Sequence, residues 1–245
     1  MDILLIHLGT PCECFIATSV IRGLRKTYPD NTIYCVVQNR ECYQVFEYNR
    51  SIRKIYIIDH VPEEFKRKTF DLVINLHPNF SEITHFPISA KEKLGFNYTI
   101  EGIKAYNLLY INNRKINKSL FQIYYKLAHL TWAGEGFDFY YYPKAKAKKS
   151  TTGTAIINRN LKKYIVNRLH LDLSQVKDIP DHNNLFRRLD ALNKCSDVIT
   201  DDFFTLNLAL YLRKGVFFLE AIPLNTQIEL FGQGKVFPVP KEIVI

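Results

Sequence analysis

Three short segments hold the side chains whose types and spacing suit chemistry. The first is His7-Leu8-Gly9-Thr10-Pro11-Cys12-Glu13-Cys14. A carboxylate at the start of a helix, beside a crevice, can serve as a general base. The same position suits a helix cap, because negative charge is favourable there for dipole reasons alone. Cys12 and Cys14 flank Glu13. A lone C-x-C is a weak metal signal, and no second pair with zinc spacing follows. A thiol at a helix start is a nucleophile or, more blandly, a small buried apolar group. The second segment is Asn75-Leu76-His77-Pro78-Asn79. There His77 either meets a ligand hydroxyl or phosphate or satisfies a loop carbonyl. The third is Thr200-Asp201-Asp202-Phe203-Phe204-Thr205-Leu206-Asn207, which leaves a strand and enters a helix. Helix starts offer N–H groups to phosphate, but this turn has no glycine and two bulky phenylalanines.

Several classes are excluded by their missing signatures. The chain has no G-x-G-x-x-G, no G-x-x-x-x-G-K-[ST], no G-x-S-x-G and no H-E-x-x-H. That argues against ordinary dehydrogenases, P-loop enzymes, hydrolases and zincins. Five cysteines in a chain of 245 residues do not make a disulfide framework. The formal charge of +9 favours anionic partners without choosing among them. The positive residues are spread out and no aromatic-basic stripe appears, so specific nucleic acid binding is not expected. No leader-like segment precedes the first strand, and no apolar stretch is long enough to span a membrane. The expectation is a cytoplasmic protein, compatible with peripheral contact at the inner, anionic face of the cell membrane.

The elements that must position these segments follow from periodicity. Ile3–His7 is a short apolar run of the kind found in strands covered on both faces. Phe15, Ile16, Val20, Ile21 and Leu24 then recur at helical spacing until Tyr28-Pro29-Asp30-Asn31. Strands are expected at Thr32–Val37, Ile52–Ile58 and Asp71–Leu76, with short helices at Glu41–Glu47 and Phe65–Lys68. Lys91–Phe96 reads as strand or turn. Ser119–Leu130 has a strong helical pattern. Lys144–Gly153, rich in Lys and then in Ser, Thr and Gly, reads as a linker between residues 1–143 and 154–245. The second half supplies strands at Thr154–Asn158, Val176–Ile179, Asp197–Thr200 and Val216–Leu219, and helices at Leu185–Lys194 and Phe203–Leu212. Val236–Ile245 is extended and able to cross back to the first domain. Such alternation means α/β, with parallel sheets and ligands at the carboxyl ends of the strands.

Taken together, three stretches resemble the lipopolysaccharide heptosyltransferases, glycosyltransferases that use ADP-heptose. The opening Ile3–His7, Cys12-Glu13 and Val20–Asp30 is similar to that family's strand, Gly-Asp pair and Leu-x-x-Leu-Arg helix ending in Tyr/Phe-Pro. Phe70–His77 with Lys93-Leu94-Gly95-Phe96 resembles its Tyr-Asp-Leu-Val-Ile-Asp-Leu and Arg-Ile-Gly-Phe pieces. Asp197–Asp202 with Leu208-Ala209 and Lys214-Gly215 resembles its nucleotide-site segment.

The resemblance implies a GT-B-like fold: two Rossmann-like parallel-sheet domains facing a crevice, the C-terminal one reduced. The acceptor would lie on the N-terminal side and the donor on the C-terminal side. It implies inverting, metal-independent transfer of a heptose-type sugar from a nucleotide sugar such as ADP-heptose to a saccharide or lipid-linked acceptor, with no resident cofactor. The family's catalytic Asp falls on Glu13. Thr10, His77 and Asn79 would face the acceptor. Asp202, Thr205 and Asn207 would border the donor phosphates, with Lys162 or Lys163 offsetting their charge. The family's Asp-Thr-Gly-Pro-Met-His reads here as Asp202-Phe203-Phe204-Thr205-Leu206-Asn207. That departure supports the rival reading, a catalytically degenerate member acting as a binding or scaffolding subunit.

Overall fold

The structure is a computed structural model. It describes residues 1–78, 88–111, 119–142, 153–156, 176–178, 184–218 and 236–238. The expected sites Asn79, Lys162 and Lys163, and nearly all of the expected linker, lie outside these residues. The chain divides into two compact units, Met1–Tyr140 and Tyr141–Ile245.

The first unit is built on a parallel five-stranded sheet in the order β3-β2-β1-β4-β5. Its strands are β1 (Asp2–His7), β2 (Thr32–Val37), β3 (Ile52–Ile57), β4 (Thr69–Asn75) and β5 (Ser89–Gly95). β1 lies at the centre because Ile3, Leu4, Leu5 and Ile6 are apolar on both faces, and all four are buried. Leu4 and Ile6 pack with Val36, Phe65, Phe70 and Val73 on one face. Burying each such side chain contributes about 1.5–3 kcal/mol. The rim strands are different. Arg53 and Lys54 on β3 and Lys91 and Glu92 on β5 are exposed, as edge strands require.

β5 resolves the strand-or-turn alternative. It is a strand whose charged residues conceal the usual alternation, and it ends in Gly95 with φ +90°. A Cβ at Gly95 would collide with the Asn75 carbonyl oxygen, the acceptor for the Phe96 N–H at 2.9 Å.

The helices are α1 (Pro11–Thr27), α2 (Arg40–Phe46), α3 (Glu63–Lys66), α4 (Ile100–Tyr106) and α5 (Leu120–Leu127). The pattern does not predict α4, since its Ile100 and Ile103 are exposed. α5 packs on α1, and its Tyr125 hydroxyl donates to the Ser19 carbonyl at 2.7 Å. The segment Phe137–Tyr140 then returns to α1. Phe137 stacks on Phe15 at 4.2 Å. Buried Asp138 receives Arg22 at 3.5 Å and Asn49 Nδ2 at 3.0 Å, while its N–H donates to Thr18 Oγ1 at 3.1 Å.

The second unit carries another parallel five-stranded sheet, in the order β10-β9-β8-β6-β7. The strands are β6 (Thr154–Ile156), β7 (Val176–Asp178), β8 (Asp197–Thr200), β9 (Gly215–Phe218) and β10 (Val236–Pro238). Its helices are α6 (Leu185–Asn193) and α7 (Phe203–Tyr211). Of the extended stretch expected at Val236–Ile245, only Val236–Pro238 is among the described residues, and the expected crossing back to the first domain falls on residues outside them. Val236, Phe237 and Pro238 pair in parallel with Val216, Phe217 and Phe218, covering the open edge of β9.

Candidate functional site

Parallel sheets bind ligands where the strand order reverses, because the loops from adjacent strands there diverge to opposite faces. In the first sheet this point lies between β1 and β4. The loops that leave it carry Gly9, Thr10 and Glu13 from β1, and His77 from β4. In the second sheet it lies between β6 and β8, and the loop after β8 carries Asp201 and Asp202.

Glu13 closes the first turn of α1. Thr10 is the N-cap, and the two residues form a reciprocal capping box. The Thr10 N–H donates to Glu13 Oε2 at 2.8 Å, and the Thr10 hydroxyl donates to the same oxygen at 2.9 Å. The Glu13 N–H donates back to Thr10 Oγ1 at 3.3 Å. Among the described residues Oε1 accepts no hydrogen bond. The base and cap readings are therefore compatible, since one oxygen caps and the other is open. Glu13 is half-buried and Thr10 exposed.

Gly9 lies among these groups. A Cβ there would stand 2.6 Å from Glu13 Oε2, 2.8 Å from His7 Cε1 and 2.8 Å from His77 Cδ2. Glycine is thus required for space, and one point joins the carboxylate to both imidazoles. The His7 and His77 rings are 5.8 Å apart. His77 is held by its N–H, which donates to Asn75 Oδ1 at 3.2 Å. Buried Asn75 also donates to the Phe96 carbonyl at 3.0 Å, tying the ends of β4 and β5 together.

His7 is buried. Burial, reinforced by His77, pushes its pKa down to about 3. Its Nδ1 lies 3.2 Å from the Gly9 N and 3.3 Å from Cys14 Sγ, and its Nε2 lies 3.0 Å from the Tyr124 hydroxyl. Burial and the neighbouring Cys42 push the Cys14 thiol well up. That supports the bland reading of Cys14, because an unionised, enclosed thiol is a poor nucleophile. Among the described residues no group of three or more His, Cys, Asp and Glu is arranged to hold a metal ion.

The turn into α7 is organised otherwise. Asp202 is the N-cap and accepts from the Phe204 N–H at 3.3 Å, the Thr205 N–H at 2.9 Å and the Thr205 hydroxyl at 2.6 Å. Arg188 lies 3.5 Å from the same carboxylate. Thr205 and Asn207 are buried, and Asn207 Nδ2 donates to the Phe203 carbonyl at 2.8 Å. Phe203 and Phe204 are half-buried. The N–H groups that a phosphate would use are already bonded to Asp202.

The structure thus brings Thr10, Glu13 and His77 together, and Asp202, Thr205 and Asn207 together. The sequence reading missed Gly9 as the meeting point, His7 and Tyr124 as buried partners, and Arg188. Gly9 read only as a strand breaker and Tyr124 as one apolar helix position. A buried histidine opening the loop was the available signal. A separate cavity of about 540 Å³ lies in the first unit, lined among others by Ala105, Leu127, Leu130 and Trp132. It does not include Glu13 or His77.

No protein-family model matches the sequence, and no curated protein does. Solved structures match over almost the whole chain. The glycosyl transferase family 9 protein from Veillonella parvula DSM 2008 aligns with TM-score 0.69 and 14% identity, over 97% of this chain and 85% of that one. Escherichia coli heptosyltransferase WaaC, solved with ADP-2-deoxy-2-fluoro heptose, aligns with TM-score 0.59 and 10% identity, over 98% and 94%. The E. coli ADP-heptose lps heptosyltransferase II aligns with TM-score 0.62 and 13% identity, over 98% and 91%. At these identities the likeness is one of fold. The chain has a GT-B-like α/β fold with a shortened C-terminal part. Within that class its similarity is to glycosyltransferases of the heptosyltransferase type. No described helix is long and apolar enough to cross a membrane.

Proposed function

We propose that this protein transfers a sugar from a nucleotide donor to a hydroxyl of a saccharide or lipid-linked acceptor, with Glu13 as the general base. The observation that carries this reading is the divided Glu13 carboxylate. Oε2 is fixed by Thr10 and lies beside Gly9, where His7 and His77 also converge at the reversal point of the sheet, while Oε1 of the same carboxylate accepts no hydrogen bond among the described residues. In the proposed reaction the Glu13 carboxylate takes the proton of the acceptor hydroxyl through Oε1 as the hydroxyl oxygen bonds to the anomeric carbon. The bond to the nucleotide diphosphate breaks on the opposite face, so the configuration inverts. His77 and Asn79 border the acceptor, and Thr10 acts on it through Glu13. Asp202, Thr205 and Asn207, with Lys162 or Lys163, border the donor in this reading, for which ADP-heptose is the first candidate. The fold likeness supports the class of donor, since WaaC was solved with an ADP-sugar analogue.

Calorimetry with ADP and ADP-sugars tests the reading, and absence of binding at millimolar concentration sinks it. Where binding occurs, Glu13→Gln should abolish transfer and leave donor affinity in place. Transfer that persists in EDTA is expected; its loss would remove the metal-independent part.

One observation favours the degenerate reading. Asp202 occupies the N–H groups of the α7 turn. If Asp202→Ala raises ADP affinity from nothing, that turn has closed over a former phosphate site.

A further inference from the structure

The state of His7 is fixed by what surrounds it. The Gly9 N–H donates to Nδ1 at 3.2 Å. Cys14 Sγ lies 3.3 Å from the same nitrogen, and its thiol, which burial keeps protonated, also reaches the His7 carbonyl at 3.9 Å. A backbone N–H has no other role than donor, so Nδ1 carries no proton. The proton of the neutral ring must then be on Nε2, where the Tyr124 hydroxyl accepts it at 3.0 Å. The other titratable groups around this point are His77, with its ring 5.8 Å away, Glu13 across Gly9, and Cys42, whose thiol donates to the Gly9 carbonyl at 3.2 Å. Gly9 is thereby gripped at both its N–H and its C=O. The residue after it carries the two bonds that set Glu13 Oε2.

We infer that His7 is a positioning residue: locked by Tyr124 in the Nε2–H tautomer, it anchors the Gly9 N–H and so sets the turn that aims the Glu13 carboxylate. Tyr124 is the second member of this device. It lies 117 residues further along the chain, on a helix that otherwise packs against α1. The consequence of this anchoring for turnover rests on the proposed sugar transfer.

Two conservative variants separate the two ring nitrogens. His7→Asn places an amide oxygen near the position of Nδ1 and keeps an acceptor for Gly9. His7→Gln reaches the position of Nε2 and loses it. Tyr124→Phe removes only the hydroxyl that holds the tautomer, and guards against a His7 variant that fails to fold. In the unmodified protein, ¹⁵N–¹H spectra of labelled histidine should show an unprotonated Nδ1 and a protonated Nε2 that do not titrate across neutral pH. A protonated Nδ1 would overturn the inference. Exchange of the Gly9 amide should quicken at least about tenfold in His7→Gln, and stay near the original rate in His7→Asn. Equal exchange in both variants would also overturn it. Neither readout needs turnover, so they decide the inference even if no sugar is transferred. With a working transfer assay, His7→Gln and Tyr124→Phe should lower kcat by about tenfold with donor KM unmoved, as misplacement of a reacting group does. His7→Asn should restore it. A loss confined to KM would contradict the aiming role.

Discussion

The molecule opens a helix beside the strand-order reversal of each sheet, and caps each with a carboxylate used differently. α1 and α7 both start at the reversal point of a parallel sheet. Asp202 caps α7 from the N-cap itself, and its short side chain turns both oxygens forward onto Phe204 and Thr205. Glu13 caps α1 from the third helical position by reaching back, and only Oε2 is engaged. A cap from inside the helix therefore leaves an oxygen for chemistry, and a cap from the N-cap does not. The lesson is that the position of a carboxylate relative to the cap matters as much as its presence.

Glu13→Gln is the sharpest way to break this contrast. Glutamine preserves the capping box but cannot take a proton. Transfer should fall by about 10²–10⁴-fold, while unfolding in urea shifts by less than about 0.5 kcal/mol. A loss of stability matching the loss of rate would make Glu13 a cap only.

The pH dependence of stability comes next in size, and only the first turn holds a buried imidazole among the described residues. The folded pKa of His7 lies near 3 against 6.5 for the free group. Above 6.5 both states are neutral and the protein has its full stability. As pH falls from 6.5 towards 3 the unfolded chain binds a proton that the folded one does not. Stability should therefore drop, by at most about 1.4 kcal/mol per pH unit. His7→Asn should flatten that slope in denaturant titrations.

Gly9→Ala should cost about 1–3 kcal/mol, because its Cβ would press on Glu13 and both histidines. Chemical denaturation measures it. Asp202→Ala should cost about 1–2 kcal/mol, seen as faster amide exchange at Phe204 and Thr205. Thr10→Ala should cost about 1 kcal/mol or less. Equal losses at Asp202 and Thr10 would erase the difference between the two caps.

Much of this architecture is readable from the residues. Ile3–Ile6 and Leu72–Ile74 are apolar without interruption, as strands covered on both sides are. The limits have physical causes. Ser89–Gly95 is a strand at a sheet edge, so its charged residues hide the period. Ile100–Tyr106 turns isoleucines outward and therefore shows no amphipathic stripe. Val236–Pro238 gives an extended stretch, but sequence alone cannot say which sheet edge accepts it. At the site, Glu13 is readable as a carboxylate at a helix start. Its division into a capped and an open oxygen is not, since both roles call for the same residue. The His7–Tyr124 contact joins residues far apart in the chain, and each alone resembles an ordinary buried side chain.

The return of Phe137–Tyr140 to α1 has a mechanical consequence. Asp138 is fastened to Thr18 and Arg22, on the same rigid helix whose first turn holds Glu13. Tension arriving through the chain beyond Tyr140 meets the contact of Phe139 with Phe15 on α1, and then that fastening. It is delivered to the body of α1 and not to the Gly9 loop, so a pull on the chain moves the helix as a whole before it can disturb the carboxylate's aim.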